Sequence, residues 1–150
     1  MRAVLQRVSA ARVTVGGEET GAIGPGLLIL LGVAAEDTVD DANWMVGRIL
    51  ALRVFADEVG RLDCSLTDTD GGLLVVSQFT LLASLRKGTR PSFHPAACPE
   101  VARPLYEHFC ALAAERLCRP VATGRFGADM EVSSVNAGPV TLVLDSRRRD

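Results

Sequence analysis

The spacing of apolar and polar residues changes period along the chain. MRAVLQRVSAARVTV (Met1 to Val15) alternates β-branched and apolar residues with Arg and Gln, which predicts a strand, a short break near Ser9-Ala10 and a second strand. Gly16-Gly17 reads as a hairpin turn. After Gly24-Pro25-Gly26 the run LLILLGV (Leu27 to Val33) is wholly apolar and short enough for a buried strand. These glycines lack the lysine and the spacing of a phosphate-binding loop, so they read as turn geometry. From Thr38 the period becomes helical. Ala42, Met45, Val46, Ile49 and Leu52 recur on one face, and Asp40 and Asp41 suit the positive end of a helix from about Val39 to Leu52. A strand through Val54-Phe55 follows, then a turn-rich segment from Asp57 to Gly72.

LLVVSQFTLL (Leu73 to Leu82) is the clearest strand pattern, with Ser77 and Gln78 its only polar residues before Thr80. The loop after it, SLRKGTRPSFHPAACP, is dense in Gly, Pro and basic residues and long enough to suggest work beyond connection. Leu105, Phe109, Leu112 and Leu117 mark a second amphipathic helix, with Pro104 in its first turn or at a kink. PVATGRFG, MEVSSVN and VTLVLDS read as three more strands, the last two meeting at Gly138-Pro139. The predicted fold is one α+β domain over residues 1–150, a mostly antiparallel sheet with two helices on one face.

Composition excludes several classes. Aromatic residues are 5% of the chain, so aliphatic packing must dominate a core drawn from 48% hydrophobic residues. No apolar run approaches the roughly 20 residues of a membrane helix, and the N-terminus alternates in polarity, so neither a membrane span nor a signal peptide is expected. Cys64, Cys98, Cys110 and Cys118 form no Cys-x-x-Cys pair, and only His94 and His108 accompany them, which disfavours a zinc site and predicts buried, reduced thiols in a cytoplasmic protein. A net charge of -2 argues against coating nucleic acid by bulk attraction but leaves room for local patches at Arg86, Lys87 and Arg90 or at Arg116, Arg119 and Arg125. Arg147 to Arg149 read as a solvated tail.

Three arrangements could carry chemistry. Ser77 or Thr80 could act as a nucleophile, yet no spacing brings either histidine to them, and a hydroxyl without a base is a poor nucleophile at neutral pH. The acidic run Asp57, Glu58, Asp63, Asp68 and Asp70 could hold paired carboxylates, but it lies in a turn-rich segment that suits a solvated loop. At Gly138-Pro139 the backbone itself could be the working part, or the pair could be an ordinary turn.

SQFTL (Ser77 to Leu81) and NAGPVT (Asn136 to Thr141) together resemble the D-aminoacyl-tRNA deacylases, and MRAVLQRVSAARVTV, GAIGPGLLILLGV, KGTRPSF and TGRFGADMEV extend the resemblance in the same order over essentially the whole chain. The resemblance implies a homodimer that hydrolyses the ester between a D-amino acid, or achiral glycine, and the terminal adenosine of tRNA, with no metal or organic cofactor. It implies a cis Gly138-Pro139 pair that reaches across the dimer to Ser77, Gln78, Phe79 and Thr80 of the other subunit. Asn136, Ala137, Arg7 and Met130 complete the implied substrate-binding set, Arg7 bracing the Gly-Pro loop. Lys87 and Arg90 are the implied tRNA contacts. In this picture backbone N–H groups near Phe79 and Thr80 stabilise the oxyanion, the substrate's ribose 2′-hydroxyl assists water, and an L side chain is driven into the Gly-Pro backbone. The family more often has an acidic residue at Ala137, a tyrosine and an aspartate near Leu82 and Ser84, and leucine near Ser134; none of these departures removes a backbone donor or the Gly-Pro pair. Two other readings stay open: a Ser/Thr hydrolase of small esters acting through Thr80, and a dimeric RNA-binding module using the Arg86 to Arg90 loop.

Overall fold

The computed structural model describes residues 1–149. β1 (Arg2–Val15) and β2 (Glu18–Ile23) form a hairpin closed at Gly16-Gly17, and β3 (Gly26–Gly32) returns antiparallel to the first half of β1. Helix α1 (Val39–Ala51) leads to a small separate ribbon of β4 (Phe55–Ala56) and β5 (Leu62–Cys64). β6 (Gly72–Ser77) then pairs parallel with β3, a 3₁₀ turn occupies Phe79–Leu82, and helix α2 (Pro99–Leu117) precedes β7 (Ala122–Thr123), which pairs parallel with β6. The last strand, β8 (Glu131–Asp145), runs antiparallel along the whole of β1. The resulting sheet is mostly antiparallel, as the sequence predicts, and its parallel pairs are confined to β3, β6 and β7.

The uninterrupted apolar runs of β3 and β6 have a direct physical cause: both strands are buried on both faces. Leu27, Ile29, Leu31, Leu73 and Val75 pack into the core beneath the helices, while Leu28, Leu74 and Val76 join Val8, Ala11 and Val13 on the opposite side. Met45, Val46 and Ile49 of α1 and Leu105, Phe109 and Ala113 of α2 fill the helix-side core, so both helices cover one face. Phe109 is 1% exposed, and truncating a side chain so enclosed costs about 3–5 kcal/mol. α1 begins as its sequence predicts. Thr38 precedes it, and the Asp41 carboxylate accepts the Thr38 N–H at 2.9 Å, satisfying a donor that the first turn leaves orphaned.

Several expectations are revised. The break at Ser9-Ala10 is a bulge within one strand: Val8 pairs with Asn136 and Ala10 with Val135, leaving Ser9 unmatched on β8. The strand expected over Leu73 to Leu82 stops at Ser77, because its parallel neighbour β3 ends at Gly32 and no strand continues the ladder; the apolar residues beyond it bury Leu82 instead. The two strands expected around Gly138-Pro139 are one, since both flanks pair with β1. Pro104 lies inside α2, whose first position is Pro99. The thiols are free but not buried: Cys98 and Cys118 are exposed and the other two partly so.

Arg147 and Arg149 are not part of a solvated tail, whereas Arg148 is exposed. Arg147 donates to the Glu36 carbonyl and lies 3.6 Å from Asp37, while Arg149 lies 3.3 Å from Asp41 and stacks over the Trp44 ring at 5.2 Å. Asp37 is fully buried and faces the Met1 ammonium at 2.6 Å, and that ammonium also donates to Ser146. Met1 and the Ser146 to Arg149 segment are therefore locked together beside the start of α1. Among the described residues, no helix is long and apolar enough to cross a membrane.

Candidate active site

Three of the SQFTL residues, Ser77, Gln78 and Phe79, line a cleft of about 540 Å³. Ser77, at the end of β6, and Gln78 and Phe79, which lead into the 3₁₀ turn, line one side; Met130, with Phe126 to Asp129 ahead of it, lines another, and Tyr106 and Ala102 of α2 lie with them in the wall. Phe79 is 57% exposed and packs edge-on against Phe93, ring centres 5.0 Å apart. The Tyr106 hydroxyl donates to the Val75 carbonyl at 2.8 Å, and burial holds it protonated well above the ordinary phenol range. It is thus a structural donor and not a base.

The turn has a specific backbone consequence. The Gln78 N–H donates to the Leu31 carbonyl at 2.8 Å, and the Leu81 and Ala83 amides close the turn onto Gln78 and Thr80. Phe79 and Thr80 occupy its first positions, where a helical turn supplies N–H groups with no internal acceptor. Two adjacent donors at the edge of a cleft can bind a developing oxyanion. Thr80 Oγ1 accepts a hydrogen bond from the Gln78 side-chain amide. Neither histidine lines the cleft: His108 bonds Asn43 between the two helices, and His94 sits in the exposed loop. Asp129 is the one carboxylate in the lining.

The second feature is an excursion from β8. Gln6 pairs with Thr141 and Val8 with Asn136, so Arg7 alone stands opposite Ala137, Gly138, Pro139 and Val140. The ends of the excursion are stapled by side chains: Asn136 Nδ2 donates to Thr141 Oγ1 at 2.9 Å, and Asn136 Oδ1 accepts the Val140 N–H at 3.2 Å. Arg7 braces it from below, Nε donating to the Ala137 carbonyl at 3.0 Å and Nη1 to the Val54 carbonyl at 2.6 Å. Gly138 has φ +131° and the peptide bond to Pro139 is cis. A Cβ at position 138 would come 2.8 Å from Arg7 Nη2 and 3.0 Å from the Val140 nitrogen, so this position accepts only glycine without adjustment.

Gly138 and Pro139 are exposed and do not line the cleft of their own chain. The structure thus gathers Ser77, Gln78, Phe79 and Met130 in one place and Arg7, Asn136, Ala137, Gly138 and Pro139 in another, with Thr80 exposed on the turn. Lys87 and Arg90 lie in an exposed loop whose neck is closed by paired bonds between Ser84 and Ser92, next to Phe93. Sequence reasoning missed Phe93, Tyr106 and Phe126 as cleft walls, and Thr141 and Val54 at the base of the excursion. Thr141 carried a signal, closing the quoted NAGPVT stretch; Val54 carried none, because only its carbonyl is used.

The chain is similar to the D-aminoacyl-tRNA deacylase of Opitutus terrae, 61% identical over 150 residues and the whole of both chains. It is 53% identical to that of Akkermansia muciniphila, again over the full length of both. A solved structure of the c-Myc DNA Unwinding Element Binding Protein superposes with a TM-score of 0.91 at 45% identity, covering 97% of this chain and 98% of that one. A probable eukaryotic D-amino acid tRNA deacylase shares the fold at a TM-score of 0.84 and 18% identity, over 95% and 97% of the two chains. The family described as D-Tyr-tRNA(Tyr) deacylase matches residues 4–145. With its whole length accounted for by these relatives, the chain belongs to the D-Tyr-tRNA(Tyr) deacylase family.

Proposed function

We propose that the protein hydrolyses the ester of D-aminoacyl-tRNA, and of glycyl-tRNA, releasing the amino acid, and that it does so as a homodimer. The observation that carries this reading is the separation of two halves of a site: a cleft with orphan amide donors at its rim, and an exposed, braced backbone excursion that does not reach that cleft. A second copy of the chain supplies the missing half. Exposed Val135 and Val143 on β8, at 60% and 69% exposure, offer apolar surface for such a pairing.

In the assembled site the terminal adenosine enters the aromatic-walled cleft and the scissile carbonyl lies against the Phe79 and Thr80 amides. The tetrahedral oxyanion gains hydrogen bonds there that a ground-state carbonyl forms less well, a contribution of about 2.7–4 kcal/mol per donor. Gly138 and Pro139 of the partner present main-chain atoms to the substrate's amino group and Cα. A D residue or glycine turns hydrogen toward that backbone, whereas an L residue turns its side chain into it. Rejection of this kind needs no side-chain pocket, which accounts for a broad range of D-amino acids. With Thr80 Oγ1 already an acceptor and no histidine at hand, attack by water assisted by the ribose 2′-hydroxyl is favoured over an acyl-enzyme. Lys87 and Arg90, on their exposed loop, are the proposed contacts to phosphates of the acceptor end.

The test is release of free amino acid from matched D- and L-tyrosyl-tRNA. The expected result is rapid release from the D substrate alone, with glycyl-tRNA also hydrolysed. Equal rates on both enantiomers, or salt-dependent binding of tRNA with no release from either, would overturn the reading in favour of a simple esterase or a binding module.

A further inference from the structure

The 3₁₀ turn that carries the orphan amides is too short to hold itself in place. It comprises four residues, and the bonds that close it, Leu81 N–H to Gln78 O and Ala83 N–H to Thr80 O, are 3.2 and 3.1 Å long. Its position depends on ties from outside. At the front the Gln78 N–H is fixed to Leu31. Beneath, the turn lies on Gly32, where an added Cβ would fall 2.9 Å from the Gln78 carbonyl oxygen and would also collide with Leu82. At the rear a side-chain tie comes from Arg2: Nη1 donates to the Leu81 carbonyl at 2.6 Å, while Nε and Nη2 reach one oxygen of Asp145 at 3.3 and 3.1 Å.

We propose that Arg2, held in orientation by Asp145, is a positioning residue that fixes the Phe79 and Thr80 amides for oxyanion binding. It rests on the proposed ester hydrolysis. A carbonyl at the end of a short turn has no internal donor, and the guanidinium supplies one in a rigid plane whose other edge is anchored on β8. Arg2 does not line the cleft. Its effect is to remove a hinge: with the rear tie cut, the turn pivots about the Gln78 bond and the two amides lose their common aim. Donors that must be in place before the charge develops lose most of their value when they have to be reoriented. Binding of the tRNA, spread over the cleft and the basic loop, does not depend on that aim.

The experiment compares the wild type with Arg2→Met, Arg2→Lys and Asp145→Asn on D-tyrosyl-tRNA, well below the melting temperature of each. Arg2→Met is expected to lower kcat by about tenfold or more with KM within about twofold. Arg2→Lys, whose single ammonium can meet Leu81 or Asp145 but not span both in one plane, is expected to fall between, as is Asp145→Asn. In amide NMR spectra the Phe79 and Thr80 resonances should move in Arg2→Met while those of α1 stay. Should Arg2→Met not fold, Arg2→Lys decides the matter. Unchanged kcat in a folded variant, a change in KM alone, or a loss of kcat with the two resonances unmoved overturns the proposal. Failure of the wild type itself to release D-tyrosine would sink the hydrolase reading and this inference with it, and is recognised by appearing before any substitution is made.

Discussion

Arg7 Nε and the Ala137 carbonyl, 130 positions apart in sequence, meet at 3.0 Å at the base of the β8 excursion. The same guanidinium holds the Val54 carbonyl at 2.6 Å, so one planar fork fixes two backbone segments relative to each other. Lysine keeps the charge but offers no such fork. Arg7→Lys is expected to lower D-tyrosyl-tRNA hydrolysis by about tenfold, on the order of one charged hydrogen bond, with little change in melting temperature. Steady-state rates beside a thermal melt check this; unchanged rates would make Arg7 a mere strand residue.

Gly138→Ala tests the excursion itself. At φ +131° a side chain is strained by about 1–3 kcal/mol, and the new methyl would press on Arg7 Nη2 at 2.8 Å. The arginine terminus can swing away, but only by releasing Ala137. The expected outcome is a soluble, somewhat less stable protein whose deacylation of both D-aminoacyl-tRNA and glycyl-tRNA is severely reduced. Denaturant titration and turnover on the same preparation separate the two effects, and near-normal turnover would show the excursion to be only a connection.

Thr80→Ala is predicted to keep measurable turnover. The hydroxyl accepts from Gln78 and faces no base, while the backbone N–H of residue 80 survives the substitution. Intact mass spectrometry of the wild type during turnover should reveal no acylated protein. Complete inactivity together with a trapped acyl-Thr80 would establish covalent catalysis instead.

Asp41 makes the acid limb of stability predictable. Burial by itself would raise its pKa, but the hydrogen bonds from Thr38 and Ser146 and the charge of Arg147 outweigh it and bring the group from 3.8 to about 2. A folded pKa below the unfolded one means that the carboxylate contributes stability above about pH 4 and that this is lost as pH falls through about 2. Wild type should therefore lose stability between pH 4 and 2, and Asp41→Asn should be less stable at pH 7 with a flatter acid limb. Urea unfolding at a series of pH values reads both, and parallel curves would discount the carboxylate.

How far the sequence foretold this structure depended on how local each signal was. Helix α1 was legible to within a residue because its apolar spacing, its acidic start and Thr38 all lie within one segment. The end of β6 at Ser77 was not, since it is decided by where β3 runs out, and the chemistry of SQFTL alone suits a strand. Arg147 and Arg149 misled for the same reason: their partners, Asp37 and Asp41, lie more than 100 positions away. The role of Val54 had no residue-level signature at all.

Arg7 reaches past the excursion to Val54, two residues beyond the cap of α1 at Leu52, whose carbonyl in turn accepts the Val54 N–H at 3.1 Å. On the proposed function this makes stereochemical fidelity depend on how well a helix end is held. A substitution that loosened Leu52 or let the chain fray at Val54 would touch no substrate and change no catalytic group. It would be felt as slower release from D-aminoacyl-tRNA together with a lapse in discrimination against the L form, both originating in the helical layer of the protein.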